Sequence, residues 1–400
     1  MATSTSKTQG PRDGSNAAHG LVSWRLDRAT PPAGVPILDL RSPSEHAEDH
    51  LPGATNVPLF DDEERAVVGT LYRQRGTQEA FERGIEITVR KSRELVLAVG
   101  RAIGREPDLD GVEERVRRIA GTDPGELERR LAPRHVDELP EDSLLVHCWR
   151  GGMRSRSVAA LLVELGWPAV LLEGGHKAYR RTVMEVVESM APPRAFVLRG
   201  LTGVGKTLVL RELERIREGW TIDLEGLAQH RSSILGMVGL VPRSQKAFET
   251  GLAVRHERGY PADLVVYEGE SRKVGDIVLP ESVWSSLCGG TSIHLVAPTA
   301  RRVEVLLEDY LATEANRAPL ARQLEFIEGR LGAKWRGELV RLLATGREAE
   351  LVELLLERYY DPLYAHSEKK HRYEHEVDTS DPAAAAAAIA EWVERRVARG

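Results

Sequence analysis

Apolar positions along the chain follow two rhythms. Short unbroken apolar runs that empty into a loop mark buried strands: VPILDLRS (35–42), SLLVHC (143–148), AVLL ahead of Gly174 and Gly175, and RAFVLRG (194–200). Shorter runs at 220–223, 264–267, 292–296 and 374–378 predict further strands. Between them apolar residues recur at helical spacing. The pattern covers 61–135 (with EAFERGIEITVRKSRELVLAVGRAI at its heart), SRSVAALLVELGW, VEVLLEDYL and ELVELLLERYY. The alanine run 383–388 also reads as a helix, with Ser380 or Asp381 able to cap it and Pro382 suited to its first turn. Alternating strand, loop and helix predicts parallel α/β sheets. The expected organisation is a first domain over 21–176 with a helical insertion at about 61–135, a linker helix within 177–193 ending at Pro192-Pro193, and a second domain over 194–400.

Composition narrows the class. The 400 residues are 42% hydrophobic, enough for two cores at about 150 residues per domain. No apolar run approaches the roughly 18 residues of a membrane span. Residues 1–20 are polar, without the apolar centre of a secretory signal, and read as a disordered tail. Two cysteines, Cys148 and Cys288, exclude a disulfide framework and fit a reducing cytoplasm. Lys plus Arg (55) against Asp plus Glu (61) leaves −6, which argues against wholesale wrapping by nucleic acid but permits a local basic groove.

Two stretches carry chemistry. GLTGVGKT (200–207) fits the phosphate-loop pattern between an apolar strand and an apolar-periodic helix. Gly200, Gly203 and Gly205 let backbone N–H groups turn inward on phosphate oxygens, Lys206 brings a point charge, and Thr207 can hold Mg²⁺. Asp223, Glu268 and Glu270 end the next two strands and are candidate magnesium partners or bases. This order resembles the P-loop kinase-like fold. HCWRGGMRS (147–155) sets a cysteine directly after a buried strand and before a helix. Loop amides, the helix N-terminus and Arg150, Arg154 and Arg156 all favour a thiolate at Cys148. Cys288, in SSLCGGTS, lacks a basic neighbour and reads as an inert structural cysteine.

The first half resembles a rhodanese domain through LDLRSPSEH (Asp39, Arg41, Glu45), the turn from His50 to Ala54, and the cysteine loop. That likeness implies a sulfur or selenium carrier at Cys148, with Asp39 and Arg41 as scaffold. The spacing from Cys148 to Arg154, C-x5-R, is also that of cysteine-dependent phosphatases and leaves that chemistry open. From about 35 to 375 the chain resembles the tRNA 2-selenouridine synthase family. The likeness is carried by LRSPSEH, HLPGATNVPLFDDEERAVVGTLYRQRG, HCWRGGMRSRSVA, GLTGVGKT, IDLEGLAQHRSS, SQKAFE, YEGESRKVG and LERYYDPLY. Ser232 stands where that likeness implies glycine, and the helical stretch 101–134 is longer than it implies and reads as a surface elaboration.

The resemblance implies two consecutive reactions on a wobble 2-thiouridine of tRNA. Its sulfur displaces diphosphate from geranyl diphosphate, and selenium from selenophosphate then replaces the geranylated sulfur. It implies a selenium role for Cys148 and an anion loop of Trp149, Arg150, Gly151, Gly152, Met153 and Arg154. Gly200, Thr202, Gly203, Val204, Gly205, Lys206 and Thr207 would grip the diphosphate. His230, Arg231, Glu270 and Arg272 would line the same site. It implies no prosthetic group, no structural metal and no membrane, a cytoplasmic location, and tRNA and a selenophosphate-producing enzyme as partners. For the tRNA, the cationic stretches 242–246, 271–275 and 366–372 and Tyr359, Tyr360, Tyr364 and Tyr373 are candidates. The Arg-rich run at 115–118 is balanced by acids and reads as a solvated helix face. From the residues alone, an ATP-dependent phosphotransferase with a regulatory cysteine domain, and a plain sulfurtransferase, remain alternatives.

Overall fold

The structure, a computed structural model, describes residues 20–368 and 371–399. The expected tail thus lies outside the described residues except for Gly20, and so does part of the cationic stretch 366–372. The chain forms two compact units, Met1–Thr182 and Val183–Gly400. The division falls inside a continuous helix, Gly175–Ser189, upstream of Pro192-Pro193.

The first unit is built on a parallel sheet of β1 (Val22–Trp24), β2 (Ile37–Asp39), β3 (Thr55–Asn56), β4 (Arg134–Val136), β5 (Leu144–His147) and β6 (Ala169–Leu172). Their order is β3-β2-β5-β6-β1-β4. β5, central and wholly buried, is the strand that delivers Cys148. β1, β3 and β4 are too short and too partly exposed to leave a two-residue rhythm in the sequence.

The helical insertion forms Asp62–Gln74, Thr77–Ile103, Val112–Ala120 and Pro124–Arg130. Each start has a local reason. Asp61 accepts from the Glu64 N–H while Glu64 reaches back, and Asp123 accepts from the Glu126 N–H. The stretch 101–134 is a structural part of the unit rather than a surface elaboration. Val112, Val116, Ile119, Leu127 and Leu131 are buried with Phe60, Phe81, Leu95 and Val99 against Val158 and Leu161 of helix Met153–Glu164. Burying each such side chain stabilises by about 1.5–3 kcal/mol, so the insertion helps fix the helix that follows the cysteine.

The second unit contains β7 (Arg194–Arg199), β8 (Thr221–Ile222), β9 (Leu264–Glu268), a small antiparallel pair β10 (Lys273–Val274) and β11 (Ile277–Val278), β12 (Thr291–Val296) and β13 (Tyr373–Asp378). The main sheet is parallel in the order β13-β12-β7-β9-β8. β7 carries the phosphate loop and pairs directly with β9, placing Leu198 opposite Glu268. Helices Lys206–Ile216 and Pro382–Ala398 cover one face through Val209, Leu213, Ile389 and Val393. Asp381, not Ser380, caps the alanine helix. A second apolar cluster joins Leu235 and Val238 to the helices between 299 and 360. Ligands of parallel α/β sheets lie beyond the carboxyl ends of the strands, and both candidate loops stand there.

Candidate functional sites: a cysteine loop and a phosphate loop

Cys148 follows β5 and is buried, with 2% of its surface exposed. Its Sγ lies 3.3 Å from Ser155 Oγ, whose hydroxyl also reaches the Gly152 carbonyl at 3.2 Å. Burial pushes the thiol pKa up. The Arg154 charge, the Ser155 hydroxyl and the N–H groups of Ser155 and Arg150 outweigh burial and leave it below the ordinary value. The shift runs in the direction expected of a thiolate-favouring loop, with Arg154 as the arginine that contributes charge. The Arg150 side chain points to exposure and contributes only its amide. Arg156 is engaged with the carbonyls of Gly151 and Glu128.

Helix Gly175–Ser189 pins the loop from below, because the N–H groups of His176 and Lys177 donate to the carbonyls of Cys148 and Trp149. Gly175 adopts φ +59°, and a Cβ there would lie 2.4 Å from the Cys148 carbonyl oxygen, so the approach requires glycine. The Trp149 ring stacks on His176 at 5.7 Å, and Met153 and Arg154 open the following helix.

A polar layer lies beneath. Arg41 donates to both carboxylate oxygens of Asp39 and to the Asp49 carbonyl. Burial pushes the Asp39 carboxyl up. The His46 hydrogen bond, the charge that His147 carries only in acid and the paired Arg41 more than reverse this and hold it well below the carboxylate range. His147 and His176 are 0% and 1% exposed. Burial lowers both histidines, His147 to about 4, so both are neutral at pH 7. Sequence reasoning missed these two. For His147 the signal was a histidine at the end of an otherwise apolar strand run, whereas His176 sits in the helix after Gly175 and left none.

The phosphate loop leaves β7 and enters helix Lys206–Ile216. Gly200 has φ +149°, and a Cβ there would meet the Leu295 carbonyl oxygen at 2.4 Å. The loop borders a cavity of about 550 Å³ lined by Gly200, Thr202, Gly203, Gly205, Lys206 and Thr207. Val204 instead turns into the core, and its carbonyl accepts from the Thr379 hydroxyl. Lys206 Nζ donates to the Gly200 carbonyl at 3.2 Å.

The Thr207 hydroxyl lies 3.3 Å from an oxygen of Glu225, which also lines the cavity, and 2.8 Å from an oxygen of Glu268, which is fully buried and does not itself line it. Oxygens of Glu225, Glu268 and Glu270 all lie within 4.8 Å of one another. Burial, then mutual repulsion, raises Glu268 well above the carboxylate range, and burial with the Glu225 charge pushes Glu270 up to about 8. Glu225 is raised chiefly by burial. A hydroxyl and carboxylates in this arrangement are hard oxygen donors and fit a divalent cation such as Mg²⁺.

Not every expected residue joins this cavity. Asp223 caps the short helix Leu224–Ala228 by accepting from the Gly226 N–H, and Glu225, two residues on, takes the place expected of it. Arg272 pairs with Glu281 at 2.8 Å and lies over the ring of Trp284, which lines the cavity, but does not line it itself. His230 lines a neighbouring groove instead. Arg231 does line the cavity, fixed by the carbonyls of Val238 and Asp309 and by the Tyr310 ring at 4.9 Å. Cys288, expected to be buried, is exposed and lines the cavity with Trp284 and Arg199. Tyr373 sits on β13 with its ring on His294, apart from the other tyrosines. Among the described residues no helix is long and apolar enough to cross a membrane.

Fold and sites together define a two-unit α/β protein with a thiolate-favouring cysteine loop in one unit and a phosphate loop in the other. The sequence model of one family, described as the tRNA 2-selenouridine synthase AAA domain, matches residues 193–398. The chain is 33% identical over 399 residues to the tRNA 2-selenouridine synthase of Cupriavidus pinatubonensis, covering 92% of this chain and 96% of that one. It is 33% identical over 364 residues to the enzyme of that name from Cupriavidus necator, covering 83% and 88%. To its namesake from Aeromonas salmonicida it is 31% identical over 361 residues, covering 82% and 86%. The chain belongs to the tRNA 2-selenouridine synthase family, and it is an enzyme of that kind.

Proposed function

We propose that the chain converts a wobble 2-thiouridine of tRNA to 2-selenouridine in two stages, in the cytoplasm. In the first, the thione sulfur attacks the terminal carbon of geranyl diphosphate. A C–S bond forms, the C–O bond breaks, and diphosphate leaves with the electron pair. In the second, the selenium of selenophosphate adds to the base carbon bearing the S-geranyl group, the C–S bond breaks and geranylthiol departs with a proton; water then cleaves the P–Se bond, so that phosphate leaves and the selenium stays on the base. Alkylation comes first because a thione is a poor leaving group, whereas an S-alkyl substituent activates that carbon.

The first unit acts as a rhodanese-like domain, a reading supported by its parallel sheet and by a cysteine at the carboxyl end of central β5. Arg154, Ser155 and the loop amides hold Cys148 as the thiolate that serves the selenium step, and the same cations suit the selenophosphate oxyanion. Gly200–Thr207 binds the diphosphate, with Lys206 releasing Gly200 to neutralise the leaving group. Mg²⁺ held by Thr207, Glu225, Glu268 and Glu270 would supply further neutralisation there. A selenophosphate-producing enzyme is the partner this scheme requires.

One observation carries the reading. A thiolate-favouring loop and an intact phosphate loop occur together in a chain that matches a named relative over 92% of its length. Nucleoside mass spectrometry of tRNA from cells with and without the chain tests it. The expected result is 2-selenouridine only with the chain, and S-geranyl tRNA accumulating with Cys148→Ser. Normal selenouridine formation by Cys148→Ser would overturn the role given to the thiol.

A further inference from the structure

Beside the phosphate-loop cavity lies a second concavity of about 350 Å³, and Ser232, Ser233 and Tyr364 line both. The groove is otherwise bordered by His230, Lys273, Arg330, Tyr359 and Tyr360. Unlike its neighbour, which mixes both signs (Arg199, Lys206, Arg211 and Arg231 beside its acids), the groove carries charge of one sign. The phosphate-loop cavity contains Glu225, Glu270 and Asp309, whereas no carboxylate is among the described residues lining the groove. Lys273 and Arg330 are exposed, and neither forms an ion pair with a described residue. Arg330 donates to the Tyr359 hydroxyl at 3.0 Å, which holds the ring at the rim.

The backbone on both sides is irregular where the groove forms. Leu356–Tyr360 is a π-helical turn, a widened geometry common at functional sites, and it sets the Tyr359 and Tyr360 rings 5.1 Å apart at 77°. On the opposite wall Gln229 takes φ +50°, which is costly for a residue with a side chain. That turn delivers His230, Ser232 and Ser233 to the groove. A cationic rim, half-buried ring faces and hydroxyls without acids suit an anion that carries a flat π-face. Unpaired RNA is that ligand, since its bases stack on aromatic side chains while its phosphates seek Lys and Arg.

We propose that this groove receives an unpaired nucleobase of the tRNA anticodon loop, stacked at Tyr359 with its phosphates against Lys273 and Arg330, and directs the neighbouring nucleotide over the Ser232–Ser233–Tyr364 wall into the phosphate-loop cavity. The inference rests on the tRNA reading above and adds the site. It is tested by binding of a labelled anticodon stem-loop RNA to the full chain, with a fully paired RNA of equal length as reference. Tyr359→Ala should weaken stem-loop binding by about tenfold (about 1.4 kcal/mol, one lost stack) and leave the duplex unchanged. Tyr359→Phe should stay close to the parent. Lys273→Ala and Arg330→Ala, both exposed, should each weaken binding and lower the slope of log Kd against log salt by about 1, and Lys273→Ala does so without touching the Tyr359 ring. Parent affinity and slope in all three alanine variants would overturn the groove while leaving the tRNA reading intact. No stem-loop binding by the parent chain would overturn both.

Discussion

Ser155→Ala isolates the device that readies Cys148. The Ser155 hydroxyl lies 3.3 Å from Sγ and supports the charged form, acting with the Arg154 charge and two loop amides. A hydrogen bond to a charged group is worth about 1.5–3 kcal/mol, and here three other contributions persist, so the lower end applies. Losing a donor to the thiolate raises the thiol pKa. The thiolate fraction at neutral pH should therefore fall about tenfold, because about 1.4 kcal/mol is a factor of ten. Ser155 is fully buried, but alanine leaves only the Gly152 carbonyl short of one 3.2 Å contact, so the fold should persist. The assay is alkylation of Cys148 by a small haloacetamide, followed by mass spectrometry as a function of pH. The variant should lag at pH 7 and converge with the parent at high pH, where both sulfurs are ionised. Superimposable rate profiles would refute the electrostatic account. A lag that persists unchanged to high pH would refute it too, since that pattern means steric obstruction.

Other perturbations separate the two sites. Gly175→Ala forces a Cβ against the Cys148 carbonyl at a positive φ, which costs at least about 1 kcal/mol before any clash. It should abolish selenium incorporation while S-geranyl tRNA still forms, read by nucleoside mass spectrometry. Lys206→Ala should lose saturation with geranyl diphosphate yet still selenate tRNA supplied already geranylated, read in single-turnover assays of each step. Glu270, raised to about 8, is protonated at pH 7, and a cation needs the carboxylate. Mg²⁺ affinity measured by calorimetry should therefore climb between pH 7 and 9, and Glu270→Gln should flatten that climb.

The sequence was most legible where one residue type had one physical task. The strand–glycine–lysine order at 194–207 marked the phosphate loop, and a cysteine at the end of an apolar run with Arg154 beyond it marked a loop that lowers the thiol pKa. Legibility failed where placement depends on long-range geometry. Asp223 and Glu225 are indistinguishable by spacing, and only the Gly226 N–H decides that the first caps a helix while the second faces Thr207. Arg150, Arg154 and Arg156 looked equivalent until the helix beginning at Met153 turned one toward the sulfur and another toward Glu128. Cys288 looked buried because the segments that share its cavity wall, Arg199 among them, are distant in sequence. The strands β1 and β4 were invisible because three residues carry no period.

The two loops solve the problem of an anion in opposite ways. At Cys148 the charge is the protein's own, and Arg154, the Ser155 hydroxyl and two amides are already arranged around it, so the loop is ready before any ligand arrives. At the phosphate loop the protein places three carboxylates near the spot where an anionic ligand must bind, which by itself would repel that ligand. The raised Glu270 eases the conflict, because at pH 7 it lies below its value of about 8, holds a proton and sheds part of the repulsion, and Glu268 is shifted in the same direction by burial and by its acidic neighbours. Lys206 meanwhile rests on the Gly200 carbonyl. A phosphate ligand arriving with a cation would exchange that proton for the metal and draw Lys206 off its carbonyl. Binding there should therefore release protons, and the amount released should shrink as pH passes about 8, the value set at Glu270 by its burial and by the Glu225 charge.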